Sequence, residues 1–427
     1  MSALIIFGLL LTLMVIGMPV GVALGLTVLG FMFAFTETPI ASVALKMFTG
    51  IEKFEIMAIP FFILAGNFLT HGGVARRMIN FATAMVGHLT GGLGMSAVLA
   101  CALFAAVSGS SPATVVAIGS ILIPAMLKQG FPMNFSAGVV ASAGGLGILI
   151  PPSIVMVMYA VTTNSSVGAL FMAGVIPGLL LALTLGVTTW WQARKGGFPT
   201  LPKASWGERF RSFREAFWGL MLIVVVMGGI YSGMFTPTEA AAMSAVYAFF
   251  IAVFVYKDLT FKQIPKVLLD SANMSSMLLF IIASAILFSF ILTSEQIPQG
   301  IADWIVHLGL GPVGFLIIVN ILLLIAGNFM EPSSIILILA PILFPVAVAL
   351  GIDPVHFGII ITVNMEIGMI TPPVGLNLFV ASGITRRGLS EMSVAVLPWL
   401  YAMLVFLILI TYVPEISLWL PRTLGML

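Results

Sequence analysis

The chain has 427 residues, of which 60% are hydrophobic and 7% charged, with a formal net charge of +2. A soluble domain carries about 25% charged residues, so a soluble globular protein is excluded, and the small net charge argues against a nucleic-acid partner. Cys101 is the single cysteine, which leaves no disulfide framework and no cysteine-ligated metal.

The N-terminus, Met1-Ser-Ala-Leu4, lacks the basic stretch of a cleaved signal peptide and reads as the start of the first membrane span. Apolar runs of about 20 residues recur along the chain, the length that a hydrocarbon core of about 30 Å requires. The segment 192–215 breaks this pattern with Arg194, Lys195, Lys203, Arg209, Arg211, Arg214 and two prolines, Pro199 and Pro202. By the positive-inside rule it is a cytoplasmic linker, with a short surface helix expected at 206–214. Spans at about 216–234 and 238–256 lead to a second basic cluster, Lys257, Lys262 and Lys266, on the same side. The span 267–293 then leads out, and 295–312, with Glu295 and Asp303 but no Lys or Arg, reads as a periplasmic loop.

Charge then dictates two hairpins. Arg76, Arg77 and Lys128 are expected in the cytoplasm, so 93–127 starts and ends inside, with its tip at Ser108-Gly-Ser-Ser-Pro112. Its arm 113–127 would span about 22 Å at about 1.5 Å per residue, too short to cross. Arg386 and Arg387 are also expected inside. The span 356–381 must therefore start outside, and 313–350 is a hairpin opening outward, with its tip at Gly327-Asn-Phe-Met-Glu-Pro332. Five spans separate the hairpins, so the repeat is inverted.

The two halves share an offset. Pro112 and Pro332 lie 220 residues apart, and Pro124/Pro345, Gly130/Gly351, Gly147/Gly368 and Pro151/Pro372 each lie 221 apart. Each half thus carries a broken tip followed by a Pro-Pro break. Paired broken helices in two halves of a membrane protein mark the binding site of a secondary transporter. The fold class expected is an all-α polytopic membrane protein with inverted repeats, each holding a re-entrant hairpin and a Pro-Pro-broken helix. The divisions are 1–92 and 216–312 (scaffold spans and arms), 93–192 and 313–393 (the repeats), the linker 193–215 and a last span in 394–427.

Oxygen-rich groups cluster at these breaks and suit a hard monovalent cation, Na+. In the first half they are Ser108, Ser110, Ser111 and the backbone of 144–151; in the second, the backbone at Gly327 and Gly368, and Thr371. Glu331, beside Asn328, and Glu366 are acids inside predicted spans, where ionisable groups are costly and usually functional. Asn364 and Asn377 flank the second break. Helix N-termini after Pro112 and Pro332 would favour an anionic substrate. His71, His88, His307 and His356 read as loop or interface residues, and Trp190, Trp191 and Trp218 as belt or lipid-facing aromatics. Metalloprotease, nucleophile-elbow and phosphate-loop motifs are absent, which speaks against an enzyme.

The runs Gly17-Met-Pro-Val-Gly-Val-Ala-Leu-Gly25, Ile59-Pro-Phe-Phe-Ile-Leu-Ala-Gly66, Gly72-Gly-Val-Ala-Arg-Arg77, Phe104-Ala-Ala-Val-Ser-Gly-Ser-Ser111, Leu149-Ile-Pro-Pro-Ser153, Gly327-Asn-Phe-Met-Glu331 and Ile370-Thr-Pro-Pro-Val-Gly-Leu-Asn377 resemble the large membrane subunit of tripartite ATP-independent periplasmic (TRAP) transporters. The resemblance implies an elevator in the bacterial inner membrane, driven by Na+. It implies a periplasmic binding protein that delivers the substrate and a small four-helix membrane subunit, expected here as a separate chain. It places one sodium site on Ser108, Gly145, Ile148 and Pro151 and a second on Gly327, Gly368 and Thr371. Substrate contact falls on Ser108, Ser153 and Glu331; the position of Asn328 and Asn377 beside the second tip and break adds them as expected substrate-binding residues. Relatives commonly carry Thr or Ala where this chain has Pro332. Candidate substrates are C4-dicarboxylates, sialic acid and other organic acids. Competing readings are a stand-alone sodium/dicarboxylate symporter and a passive channel.

Overall fold

The computed structural model describes residues 2–36, 41–307 and 311–427. In chain order the helices are α1 (Ser2–Val15), α2 (Val20–Phe35), α3 (Ala41–Ile51), α4 (Ala58–His71), α5 (Val74–Val86), α6 (Gly92–Ser108), α7 (Ser111–Lys128), α8 (Met133–Ala143), α9 (Leu146–Leu149), α10 (Ile154–Thr163), α11 (Val167–Gly196), α12 (Trp206–Tyr231), α13 (Pro237–Phe250), α14 (Ile264–Ser294), α15 (Ile297–His307), α16 (Pro312–Gly327), α17 (Pro332–Ala349), α18 (Pro354–Gly368), α19 (Leu376–Thr385), α20 (Leu389–Tyr412) and α21 (Glu415–Thr423). Among the described residues, eight helices are long and apolar enough to cross a membrane, nine if a pair bent by 40° at Pro151-Pro152 is one span. A helix that is apolar all round needs apolar surroundings on every face. In α20, Met392, Val396, Trp399, Met403 and Phe406 pack inward while Val394, Tyr401, Val405 and Ile408 stay exposed, as a lipid face requires.

Both expected helical pairs form. α6 stops at Gly109, whose φ of 61° is left-handed, a conformation that costs other residues more than glycine. Ser110 is extended, and Pro112 sits in the first turn of α7, where a missing N–H breaks no helical bond. In the second half α16 ends at Gly327, and α17 begins on Pro332 with extended Glu331 before it. α7 and α17 each have 18 residues, and α10 and α19 each have 10. Pro151-Pro152 and Pro372-Pro373 are both cis. The α7 arm is longer than the expected 113–127, because the helix opens at Ser111; at about 1.5 Å per residue it spans about 27 Å, still under the core thickness of about 30 Å.

Three other expectations change. The segment 206–214 is not a separate surface helix but the start of α12. A capping box between Ser205 and Glu208 starts this helix, and no Pro interrupts it before Tyr231. The 295–312 segment carries α15 rather than only loop; the side chain of His307 and residues 308–310 lie outside the described residues. His356 is no loop residue: it is 3% exposed in the first turn of α18. Its Nδ1 pairs with Ser417 Oγ at 2.7 Å, and Nε2 lies 3.3 Å from the Thr411 carbonyl.

Some of the groups read as cytoplasmic are in contact. Arg76 and Arg77 both pair with Asp258, the Arg77 guanidinium lies 3.8 Å from the Tyr256 ring centre, and Leu201 N donates to Gly87 O at 3.0 Å. Trp190 and Trp191 are exposed, as expected, and stack with Arg194 and Lys195. Trp399 is the buried counterexample; its indole N–H donates to Thr189 Oγ1 at 2.9 Å, joining α20 to α11.

Candidate functional site

Each hairpin tip docks on the Pro-Pro break of its own half. In the first, Ile154 N donates to Gly109 O at 3.5 Å, and a Cβ on Gly147 would fall 2.6 Å from Ser110 O. In the second, Val374 N donates to Asn328 O at 3.1 Å. There Gly327 and Gly368 touch backbone to backbone: a Cβ on Gly368 would lie 2.7 Å from Gly327 Cα. Only glycine allows approaches this close.

Around the first break, Ser108 Oγ lies 2.9 Å from Thr114 Oγ1, which donates to Ser110 O at 2.8 Å. Ser153 caps α10, accepting from Met156 N, and donates to Ile148 O at 2.6 Å. Gly145 instead faces the other half: a Cβ there would lie 2.6 Å from Glu366 Cγ. Around the second break, Thr371 Oγ1 donates to Ile367 O at 2.7 Å, one turn from the Gly327–Gly368 contact. Asn328 Oδ1 is buried without a partner among the described residues. These donors are carbonyl, hydroxyl and amide oxygens, the set that holds Na+ at unwound membrane helices. Among the described residues, no group of three or more His, Cys, Asp or Glu side chains is placed to bind a metal.

Asn377 ties the two halves together. Its Nδ2 donates to Ser111 Oγ at 2.8 Å and to Ala141 O at 3.0 Å, both in the first repeat, and it is fully buried. Asn377→Ala should leave Ser111 and the Ala141 carbonyl unpaired, at a cost of about 1–3 kcal/mol. A fall in melting temperature of the purified protein checks this; an unchanged midpoint would show that the strut is dispensable.

Between the tips lies a cavity of about 90 Å³. Ser110 and Ser111 line it from the first tip, Glu331 and Ser333 from the second, and Ile148 and Met369 from the two breaks. Met274, Met277 and Leu278 of α14 close one wall. Ser108, Ser153, Asn328 and Asn377 do not line it. Ser333 and the α14 methionines were missed by sequence reasoning; Ser333 follows Pro332 directly, and a serine in the first turn of a re-entrant arm was the available signal. The N-termini of α7 and α17 both flank the cavity, and each carries partial positive charge. They differ in chemistry. The first tip has hydroxyls and no acid, so it suits an anionic oxygen. The second places the Glu331 carboxylate, which accepts from Ser334 Oγ at 3.3 Å, so it suits a cation or a hydroxyl donor.

Two hairpins with broken tips that meet over a small cavity holding a few polar groups, set among bilayer-length helices, define a membrane permease rather than an enzyme. Residues 7–416 match the family described as "Tripartite ATP-independent periplasmic transporter, DctM component", and the chain belongs to this family. It is therefore a multi-pass protein of the bacterial inner membrane. It is 70% identical over 440 aligned positions to the C4-dicarboxylate TRAP transporter large permease protein of Rhodobacter capsulatus, covering 100% of both chains. It is 40% identical to the sialic acid TRAP transporter large permease protein of Vibrio cholerae, covering 96% of each. The YdaH transporter of Alcanivorax borkumensis shares the fold, with a TM-score of 0.63 at 16% identity, over 87% of this chain and 88% of that one.

Proposed function

We propose that this subunit imports a C4-dicarboxylate or a closely related organic acid anion, driven by Na+ and not by ATP. A periplasmic binding protein supplies the substrate and a small membrane subunit completes the complex. The cavity between the tips carries this reading, because it brings the N-terminus of α7, with Ser110 and Ser111, and the Glu331 carboxylate to one small, largely apolar-walled space. The dicarboxylate class is favoured over sialic acid by the 70% identical relative against the 40% identical one.

In this mechanism one substrate carboxylate seats on Ser110, Ser111 and the α7 N-terminus, with Ser108 and Ser153 supporting it from behind. Na+ at the first break (Ser108, Gly145, Ile148, Pro151) and at the second (Gly327, Gly368, Thr371) balances the substrate charge and that of Glu331. The hairpins enter from opposite membrane faces. Tied by Asn377, they move as one body against α14, and the unbranched side chains of Met274 and Met277 can slide.

The test is uptake into proteoliposomes holding both membrane subunits, with an inward Na+ gradient, with and without the binding protein. Uptake that needs both supports the reading; sodium-driven uptake without the binding protein would make this a stand-alone symporter. Ser108→Ala and Thr371→Ala should raise the Na+ concentration for half-maximal uptake. A contact to a charged group contributes about 1.5–3 kcal/mol, which is about tenfold or more in affinity. An unchanged Na+ dependence in both variants would remove these residues from the ion sites.

A further inference from the structure

Glu366 is fully buried, and among the described residues neither carboxylate oxygen has a hydrogen-bond partner. The ion pairs found among the described residues do not include it. Asn364, two residues earlier, commits its amide to Asn320 and the Ile360 carbonyl. A neutral carboxylic acid would donate its O–H, and among the described residues no acceptor is paired with it. An anionic carboxylate with nothing to balance it is costly at this depth. The group thus lacks the partner that either form demands.

Its neighbour supplies the second observation. Glu366 packs on Gly145, where an added Cβ would fall 2.6 Å from Cγ and 2.8 Å from Oε1. Gly145 and Glu366 are 221 positions apart, the offset of the repeat itself. A residue that touches its own repeat equivalent sits on the axis relating the two halves. On that axis one half provides a carboxylate and the other a glycine that leaves room for it. Ser142 Oγ, one turn before Gly145, and Asn364 Oδ1 are further buried oxygens without partners.

We propose that the Glu366 carboxylate binds a monovalent cation on this axis, between the two Pro-Pro breaks, with Gly145 clearing the space. A divalent ion would call for several acidic ligands, and among the described residues no group of three or more His, Cys, Asp or Glu side chains is placed to supply them. The site deepens the sodium-driven reading and rests on it. Each repeat contributes to one ion, so the ion reports on the packing of both halves at once.

The experiment measures equilibrium binding of radiolabelled Na+, and the Na+-dependent rise in melting temperature against choline at equal ionic strength, for the purified membrane complex. Glu366→Gln should bind one Na+ fewer per chain and show a smaller rise. Should Glu366→Gln fail to fold, Glu366→Asp serves instead: it should keep the ion count with affinity lowered by about tenfold. Wild-type Na+ count and affinity in Glu366→Gln, or unchanged affinity in Glu366→Asp, overturns this site alone. Absence of Na+ binding by the wild type overturns the sodium-driven reading itself.

Discussion

Replacing Glu331 with glutamine is expected to cut substrate uptake at least tenfold while leaving expression and melting temperature near wild type. Glutamine keeps the shape and the oxygen that accepts from Ser334, so packing at the second tip is preserved. The charge at the start of α17 is lost, and a carboxylate at a helix N-terminus contributes only about 0.3–1 kcal/mol. Its effect on transport is larger, because Glu331 faces the cavity between the tips. A contact between a charged group and a bound ion or hydroxyl there contributes about 1.5–3 kcal/mol. Initial uptake rates, measured with the amount of protein in the membrane held equal, decide the matter. Wild-type rates in Glu331→Gln would show that the carboxylate only caps its helix.

The hairpins were legible because their tips are written in residues with few other uses inside a bilayer. Gly109, Pro112 and Pro332 stop or start helices wherever they stand, and the 221-residue offset made two weak signals into one strong one. The ion pairs of Arg76 and Arg77 with Asp258 join the first turn of α5 to the segment beside Lys257. Sequence reasoning failed where tertiary packing decides. The α12 helix runs from Trp206 without pause, joining the expected short surface helix to the span, since the basic residues of 209–214 are good helix formers. His356 is buried because α21 folds back over α18, bringing Ser417 to its ring, a contact 61 residues away that no local pattern encodes. Asn377 was expected beside the substrate, but its role as a strut needs the approach of Ser111, 266 residues distant. The unpaired oxygens of Glu366 could be recognised only once its neighbours were known; the sequence shows an acid in a span, and the structure shows no partner for it among the described residues.

Gly368→Ala should abolish transport, by about a hundredfold or more, with a smaller loss of stability. The added Cβ would lie 2.7 Å from Gly327 Cα and 3.0 Å from Gly327 C and O. These are backbone atoms with no rotamer to change, so the end of α16 and the end of α18 must move apart. Overpacking of this kind costs about 1–3 kcal/mol, which a polytopic protein can survive. Function has less tolerance: a shift of about 1 Å in reacting or binding groups can cost about a hundredfold. Here the shift would separate the second tip from its break, parting Gly327 from Thr371 and tilting Glu331 at the cavity. Gly327→Ala meets the same contact from the other side, at 2.9 Å. The two substitutions act on one contact, so the double variant should lose less than the sum of the singles. Gly383→Ala is the matched control. It lies within α19 with nothing inside 4 Å of the new methyl, so it should transport normally and gain about 0.5–1 kcal/mol of stability from the better helix former. Uptake and melting temperature for all four variants separate close approach from a general intolerance of alanine. If Gly368→Ala transports as well as Gly383→Ala, the contact between the second tip and its break has no part in transport.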